Sequence, residues 1–495
     1  MLTEAAESDK GENAKVEKQQ MYVNGKWIGS VGKQWIKTKN PATGEVLAEV
    51  PRGTKEDVDA AVKVARETFE SEEWQSFLPI ERGRILHKVA DALRADAEKI
   101  ALLETLDTGK PLTQARKDVE AAALYFEYYA GMADKIFGET IPVQPGILDY
   151  TLREPIGVTA HIVPWNYPLQ ILSRSTAAAI ATGNTIVAKP AEDTPLTAIK
   201  LAEILDGTHL PKGVFNLVTG YGAEAGAAIS EHPGVDHITF TGSVQTGSAV
   251  MMGAAKNVKP VTLELGGKSP NIIFEDCDQE EAADWAVRSI IQNAGQTCSA
   301  GSRLLVQQSI KDEFLKKVTV KMAAIQIGKG IDDLDLGPIL NEKQFERILE
   351  FMTVAREEGA TFLTGGEREK KAGLEHGYFF QPTVIDGLAP GSYVAQEEIF
   401  APVVVAFSFE TEQQAVELAN GTDYGLVAGI WTKDGARAHR VASKIRAGQI
   451  FINNYGAGGG VQMPFGGYKK SGFGREKGLE ALRNYTILKN VALKY

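Results

Sequence analysis

The chain has 495 residues with 43% hydrophobic and 8% aromatic content, too long for one hydrophobic core and ordinary for a globular enzyme, so two or more domains are expected. A formal net charge of −11 leaves no basic excess to neutralise phosphates and argues against a nucleic-acid partner. Only two cysteines, Cys277 and Cys298, are present, too few to staple a protein of this size, and they fit a reducing, cytoplasmic compartment.

The first 19 residues carry Glu, Lys, Asn and Gln with almost no apolar content. They are expected to be a mobile extension, neither signal peptide nor core. Met21-Tyr22-Val23-Asn24-Gly25-Lys26-Trp27 has the pattern of a short hairpin turning at Asn24-Gly25. From Thr54, a plausible N-cap, an amphipathic helix places Val58, Ala61, Val62, Ala65 and Phe69 on one face. Further helical sequence continues to about Phe137. Between Gly157 and Gly267, strand-like runs at Val158–Val163, Thr185–Ala188, Val214–Val218, His237–Phe240 and Val261–Leu265 alternate with helices, one opening at Thr194-Pro195. That alternation predicts an α/β fold with a parallel sheet and ligands beyond the carboxyl ends of its strands. The uncharged run Ser175–Ala188 is short and broken by Gly183 and Asn184, so no membrane span is expected. A second α/β region extends from about Cys298 to Gly460, with strands near Thr383–Ile385, Val403–Phe407 and Gln449–Ile452. The chain closes on an apolar strand, Tyr485–Leu493, which needs a partner in another subunit or in its own chain.

Cys298 lies in Gly295-Gln296-Thr297-Cys298-Ser299-Ala300-Gly301, among residues too small to shield a thiol, whereas a structural cysteine is usually walled by larger apolar side chains. It is the candidate nucleophile. Cys277, within Glu275-Asp276-Cys277-Asp278, has neighbours that oppose thiolate formation and reads as structural. Glu264 ends a strand ahead of Gly266-Gly267 and could act as a general base; a solvated strand-end glutamate is the plainer alternative. Asn166, after Pro164-Trp165, could stabilise an oxyanion or simply sit in a turn. Thr241-Gly242-Ser243 precedes a helix whose free N–H groups suit a pyrophosphate, while an N-capped turn explains the same residues. Gly220, Gly222 and Gly226 space one residue longer than the usual dinucleotide fingerprint. Lys189 and Glu192 could hold a ribose, and the carboxylate would disfavour a 2′-phosphate. The histidines show no metal-site spacing, so no metal is expected.

Taken in order, Pro164-Trp165-Asn166, Lys189-Pro190-Ala191-Glu192, Phe240-Thr241-Gly242-Ser243, Glu264-Leu265-Gly266-Gly267-Lys268, Gly295-Gln296-Thr297-Cys298, Glu397-Glu398-Ile399-Phe400 and Pro464-Phe465-Gly466-Gly467 resemble the NAD(P)-dependent aldehyde dehydrogenase superfamily of hydrolytic type, from about residue 20 onward. The resemblance implies oxidation of a small aldehyde to an acid with NAD, NADP being the weaker alternative. Cys298 would carry a thiohemiacetal and then a thioester, Asn166 and the Cys298 N–H would stabilise the oxyanion, and Glu264 would activate water. Coenzyme contacts would come from Val163, Pro164, Trp165, Lys189, Glu192, Gly222, Gly226, Phe240, Thr241, Gly242, Ser243, Gly247, Leu265, Gly266, Glu398 and Phe400. Glu476 occupies a position sometimes given a proton-relay role.

The resemblance also implies a Rossmann-type coenzyme domain (20–134 and 153–264), an α/β catalytic domain (265–478) and a β oligomerisation arm (135–152 and 479–495), giving a homodimer or homotetramer. Tyr167 and Phe465 would wall the substrate pocket. Arg174 stands where many relatives carry Trp, and a cation there suits a carboxylate-bearing semialdehyde or an aromatic aldehyde rather than a quaternary ammonium. Its alternative is a structural ion pair. The loop 456–460, almost all glycine, implies a wide or mobile entrance, and Ala401 replaces a usual glycine. Two rival functions remain at this stage. A CoA-acylating semialdehyde dehydrogenase is disfavoured by Glu264, and a non-catalytic binding protein on the same fold by Cys298, Glu264 and Asn166 together.

Overall fold

The computed structural model of the protein describes residues 16–456 and 460–495. Most of the N-terminal extension therefore lies outside the described residues, but Glu17–Lys18 pair in parallel with Ala48–Glu49, so pairing begins before residue 20. Met21–Val23 and Lys26–Ile28 form the expected hairpin, and Asn24 and Gly25 both take positive φ (53° and 69°) as its two-residue turn requires. Thr54 caps the helix Lys55–Glu70 in a reciprocal box with Asp57, an arrangement whose loss typically costs ~1 kcal/mol. Val58, Ala61, Val62 and Ala65 of that helix are buried against the sheet.

Two sheets organise the molecule. In the first, parallel strands lie in the order Val261–Glu264, His237–Thr241, Val158–Ile162, Thr185–Lys189, Phe215–Leu217. The chain moves outward from Val158–Ile162 in one direction, then returns and continues in the other. The reversal falls between Val158–Ile162 and His237–Thr241, the crevice where such sheets bind ligands. The N-terminal hairpin extends one edge of this sheet, and Gly472–Phe473 extends the other, antiparallel to Val261–Glu264. Residues 472–473, expected with the chain's second α/β region, thus pair with the first sheet. The second sheet has seven strands, centred on Arg303–Gln307 and Pro270–Ile273 between Val403–Phe409 and Val427–Trp431.

The helix Pro168–Thr182 is buried on nearly every side, as its continuous run of small and apolar residues dictates. Any charge on it has to find a partner inside the protein. The helix Leu196–Asp206 departs from expectation, because Thr194 does not cap it. The Thr194 hydroxyl donates to the Trp165 carbonyl (3.2 Å), and the buried Asp107 carboxylate accepts from Leu196 N (3.0 Å) instead. A carboxylate distant in sequence has taken the cap. The C-terminal strand Thr486–Lys494 pairs within its own chain, antiparallel to all of Ile147–Pro155, with Thr140–Ile141 on the far side. Among the described residues, no helix is long and apolar enough to cross a membrane.

Candidate functional site

Cys298 is delivered by an unusual turn. The helix Gln279–Ile291 ends in Gln292–Gly295, where Asn293, Ala294 and Gly295 all have positive φ (49°, 55° and 72°). Left-handed backbone at Asn and Ala is unfavourable, roughly 1–2 kcal/mol for a residue with a β-carbon, and the surroundings hold it. Asn293 Nδ2 donates to the Asn166 carbonyl (2.9 Å), and Gln296 Nε2 donates to the Asn293 carbonyl (3.0 Å). Gln296 Oε1 accepts from Leu340 N (2.9 Å). Gly295 is required on two counts, since a β-carbon there would also lie 2.1 Å from the Ala401 carbonyl carbon.

The half-buried Cys298 thiol stands where two cavities meet. One, of about 110 Å³, is lined by Pro164, Trp165, Thr241, Gly242, Ser243, Glu264, Leu265, Gly266, Glu398 and Phe400. The other, of about 130 Å³, is lined by Tyr125, Tyr167, Ile171, Arg174, Phe465 and Lys477, among others. Cys298, Asn166 and Thr241 face both. Burial pushes the Cys298 thiol up to about 12, with Glu398 and Glu264 adding to the rise and Arg174 opposing it. The resting Cys298 thiol is therefore protonated. Cys277 is also held up, to about 11, by burial and by Asp276 and Asp278, and it packs in the core beneath the second sheet.

Both carboxylate oxygens of Glu264 are buried without a hydrogen-bond partner. Burial first, and the nearby Glu476 second, raise its pKa well above the ordinary carboxylate range, against Arg174, Arg475 and Lys477. A raised pKa of this kind strengthens the carboxylate as a proton acceptor. The Asn166 amide donates one hydrogen bond to the Gln296 carbonyl (2.9 Å), which orients it beside Cys298.

On the first cavity's wall, glycine lets backbone come close. A β-carbon on Gly266 would lie 2.4 Å from Glu398 Oε2, while Glu398 Oε1 accepts from Gly267 N (2.9 Å). Phe400, at φ 63°, packs edge-on against Trp165 at 5.3 Å. Ser243, on the wall of this cavity, caps the helix Val244–Ala255 through Thr246 N (3.2 Å). Phe240 and Gly247 lie behind this wall, Phe240 under Gly242 and Gly247 against Leu265. Val163 N donates to the Lys189 carbonyl (3.0 Å), linking the two strand ends.

A second group forms further along the strand ends. Lys189 Nζ pairs with Glu192 Oε2 at 2.9 Å, and Gly222 N–H and Gly226 adjoin them. Burial would raise the Glu192 pKa, but Lys189 overcomes it and holds the carboxylate below its usual range, hence ionised at neutral pH. These four residues do not line the cavities at Cys298.

On the other side, Arg174 is nine-tenths buried and forms an ion pair with Glu476, whose Oε1 accepts from the Thr239 hydroxyl (2.6 Å). The sequence offered a substrate-facing cation or a structural pair; Arg174 faces the cavity and is paired at once. Its guanidinium also sits 5.7 Å from the Phe465 ring. Tyr167 OH and Thr297 Oγ1 share a 2.8 Å hydrogen bond. Residues 457–459 of the glycine loop lie outside the described residues. Sequence reasoning missed Gln344 and Arg347 on the first cavity, and Tyr125 and Lys477 on the second. None stands in a motif with a distinctive pattern, and folding alone brings them in.

The family model described as the aldehyde dehydrogenase family matches residues 27–491. The chain is 42% identical to a betaine aldehyde dehydrogenase of Bacillus subtilis, over 96% of this chain and 97% of that one. It is 43% identical to a hydroxyisobutyraldehyde dehydrogenase of Mycolicibacterium austroafricanum, over 96% and 93%. An aldehyde dehydrogenase from Bacillus cereus, solved as its NAD+ complex, superimposes with a TM-score of 0.94 at 44% identity, covering 97% of both chains.

Proposed function

Because this chain belongs to the aldehyde dehydrogenase family, we propose that it oxidises an aldehyde to a carboxylic acid with NAD, through a thioester on Cys298 that water hydrolyses. The observation that carries this is the placement of Cys298 and Asn166 on both cavities, with the unpartnered Glu264 carboxylate on only one of them.

The residues present fit the coenzyme. Gly242 and Gly266 on the cavity at Cys298, the N-terminus of Val244–Ala255, and the separate Lys189–Glu192 pair at the strand ends would together hold a dinucleotide. Glu398 and Phe400 would hold the nicotinamide riboside, and the ionised Glu192 would hold the adenosine ribose and repel a 2′-phosphate. When bound, NAD supplies the hydride acceptor.

Cys298 Sγ releases its proton to solvent and attacks the aldehyde carbonyl carbon, forming the C–S bond of a thiohemiacetal as the carbonyl oxygen becomes an oxyanion. The Asn166 amide and the Cys298 N–H stabilise that oxyanion; a single such donor is worth ~10²–10³ in rate. After oxidation, Cys298 carries a thioester. Glu264 takes a proton from water, the hydroxide adds to the acyl carbon, and the C–S bond breaks to release the acid as Glu264 passes that proton to the Cys298 sulfur. Glu264 separates this from a CoA-acylating reaction, in which no base would be needed for water.

For the substrate, Tyr125, Tyr167 and Phe465 offer flat aromatic walls, and Glu476 already balances Arg174. That favours an aromatic aldehyde. A carboxylate-bearing semialdehyde is the second reading, favoured by Lys477 on the same cavity. NADH formation across aromatic, carboxylate-bearing, aliphatic and betaine aldehydes, with NAD and NADP in parallel and with and without CoA, tests all of this. A preference for betaine aldehyde would overturn the substrate reading, and an acyl-CoA product the hydrolytic one. Assembly into a homodimer or homotetramer through the Thr486–Lys494 sheet is part of the same proposal.

A further inference from the structure

Behind Asn166 lies a charged cluster that the chemistry above does not use. The helix Ala97–Thr108 ends at Gly109 (φ 82°), whose β-carbon would lie 2.6 Å from Pro338, and Pro111 then leads into the helix Leu112–Ala130. Lys110 sits in this tight connection with its side chain wholly buried. Its Nζ reaches Glu104 Oε1 at 3.3 Å, Asp118 Oδ2 at 2.5 Å and the Asn166 carbonyl at 3.0 Å. Nζ is also 4.2 Å from the centroid of the Tyr167 ring. The remaining Glu104 oxygen accepts from the Thr197 hydroxyl (2.7 Å).

An ammonium has three donors, and here all three are used. Two carboxylates and one ammonium in a dry interior are a costly way to join helices, since apolar side chains of similar volume often do as well or better. What apolar side chains cannot do is donate to the Asn166 carbonyl. We infer that Lys110 is a positioning residue for the oxyanion donor. It fixes the Asn166 carbonyl, together with Asn293, so that the Asn166 amide is held at Cys298, and its charge seats the Tyr167 ring that walls the substrate cavity. This rests on the proposed oxyanion role of Asn166.

The test is a double-mutant cycle, with kcat expressed per NAD-binding site counted by fluorescence titration, so that any unfolded fraction drops out. Lys110→Met leaves two buried carboxylates without a counter-charge, so it is paired with a charge-free variant, Lys110→Met with Glu104→Gln and Asp118→Asn. Each is expected to lose about tenfold or more in kcat, with the KM for NAD changing less than about twofold. In an Asn166→Ala background the same substitutions should change kcat by less than about twofold, because coupled residues are not additive. An unchanged kcat per NAD-binding site in the charge-free variant, or an equal loss in the Asn166→Ala background, overturns the assignment. Asn166→Ala without any effect of its own removes the oxyanion reading first, and the role of Lys110 with it.

Discussion

The two cavities that meet at Cys298 are built in opposite ways. The cavity that holds Gly242 and Gly266 carries the Glu264 carboxylate, left without a hydrogen-bond partner. The other, walled by Tyr125, Tyr167 and Phe465, carries Arg174, paired with Glu476 inside the protein. An unpartnered acid is poised to exchange a proton, whereas a paired one is held in place. On the proposed mechanism, chemistry falls to one side of the thiol and shape to the other.

The strongest way to break this division is to remove the thiol. Cys298→Ala is expected to abolish aldehyde-dependent NADH formation while NAD binding, followed by fluorescence titration, stays intact; residual turnover would move the chemistry elsewhere. Glu264→Gln should next separate the two half-reactions, giving a burst of about one NADH per active site and then slow deacylation. A full steady rate without a burst would remove Glu264 from the base role. Arg174→Met leaves the Glu476 carboxylate buried and unpaired, so unfolding should cost roughly 3–5 kcal/mol less. Adding Glu476→Gln should recover part of that loss, and denaturant unfolding of the two variants measures it.

The smallest effects sharpen the comparison. Gly266→Ala drives a methyl toward Glu398 Oε2, so KM for NAD should rise while the aldehyde KM barely moves. Glu264 also predicts a pH dependence of stability. Its folded pKa lies well above the unfolded value near 4.5, so between the two the folded state binds more protons than the unfolded state. Stability therefore falls as pH rises through that window. Glu264→Gln removes this contribution, and its melting temperature should gain on the parent from pH 6 to pH 8. A constant difference would mean that Glu264 is ionised in the fold.

Local sequence determined a good deal of this protein. Apolar runs separated by single helices specify a parallel sheet, Asn24-Gly25 specifies its hairpin, and Thr54 specifies its cap, because each depends on contacts within a few residues. Gly242 marks a close local approach, to Phe240, for the same reason, whereas Gly266 and Gly295 make room for Glu398 and Ala401 from distant parts of the chain. Tertiary structure alone decided what the charges do. Arg174 and Glu476 lie far apart in the chain and meet only because a buried helix must neutralise its cation. Asp107 takes a cap that Thr194 was expected to fill, and Lys110 finds the Asn166 carbonyl across the fold. The C-terminal strand announces a need for a partner, but only the folded chain shows it taking Ile147–Pro155. Charges and unpaired backbone act over distances in space, and the order of residues along the chain does not record those distances.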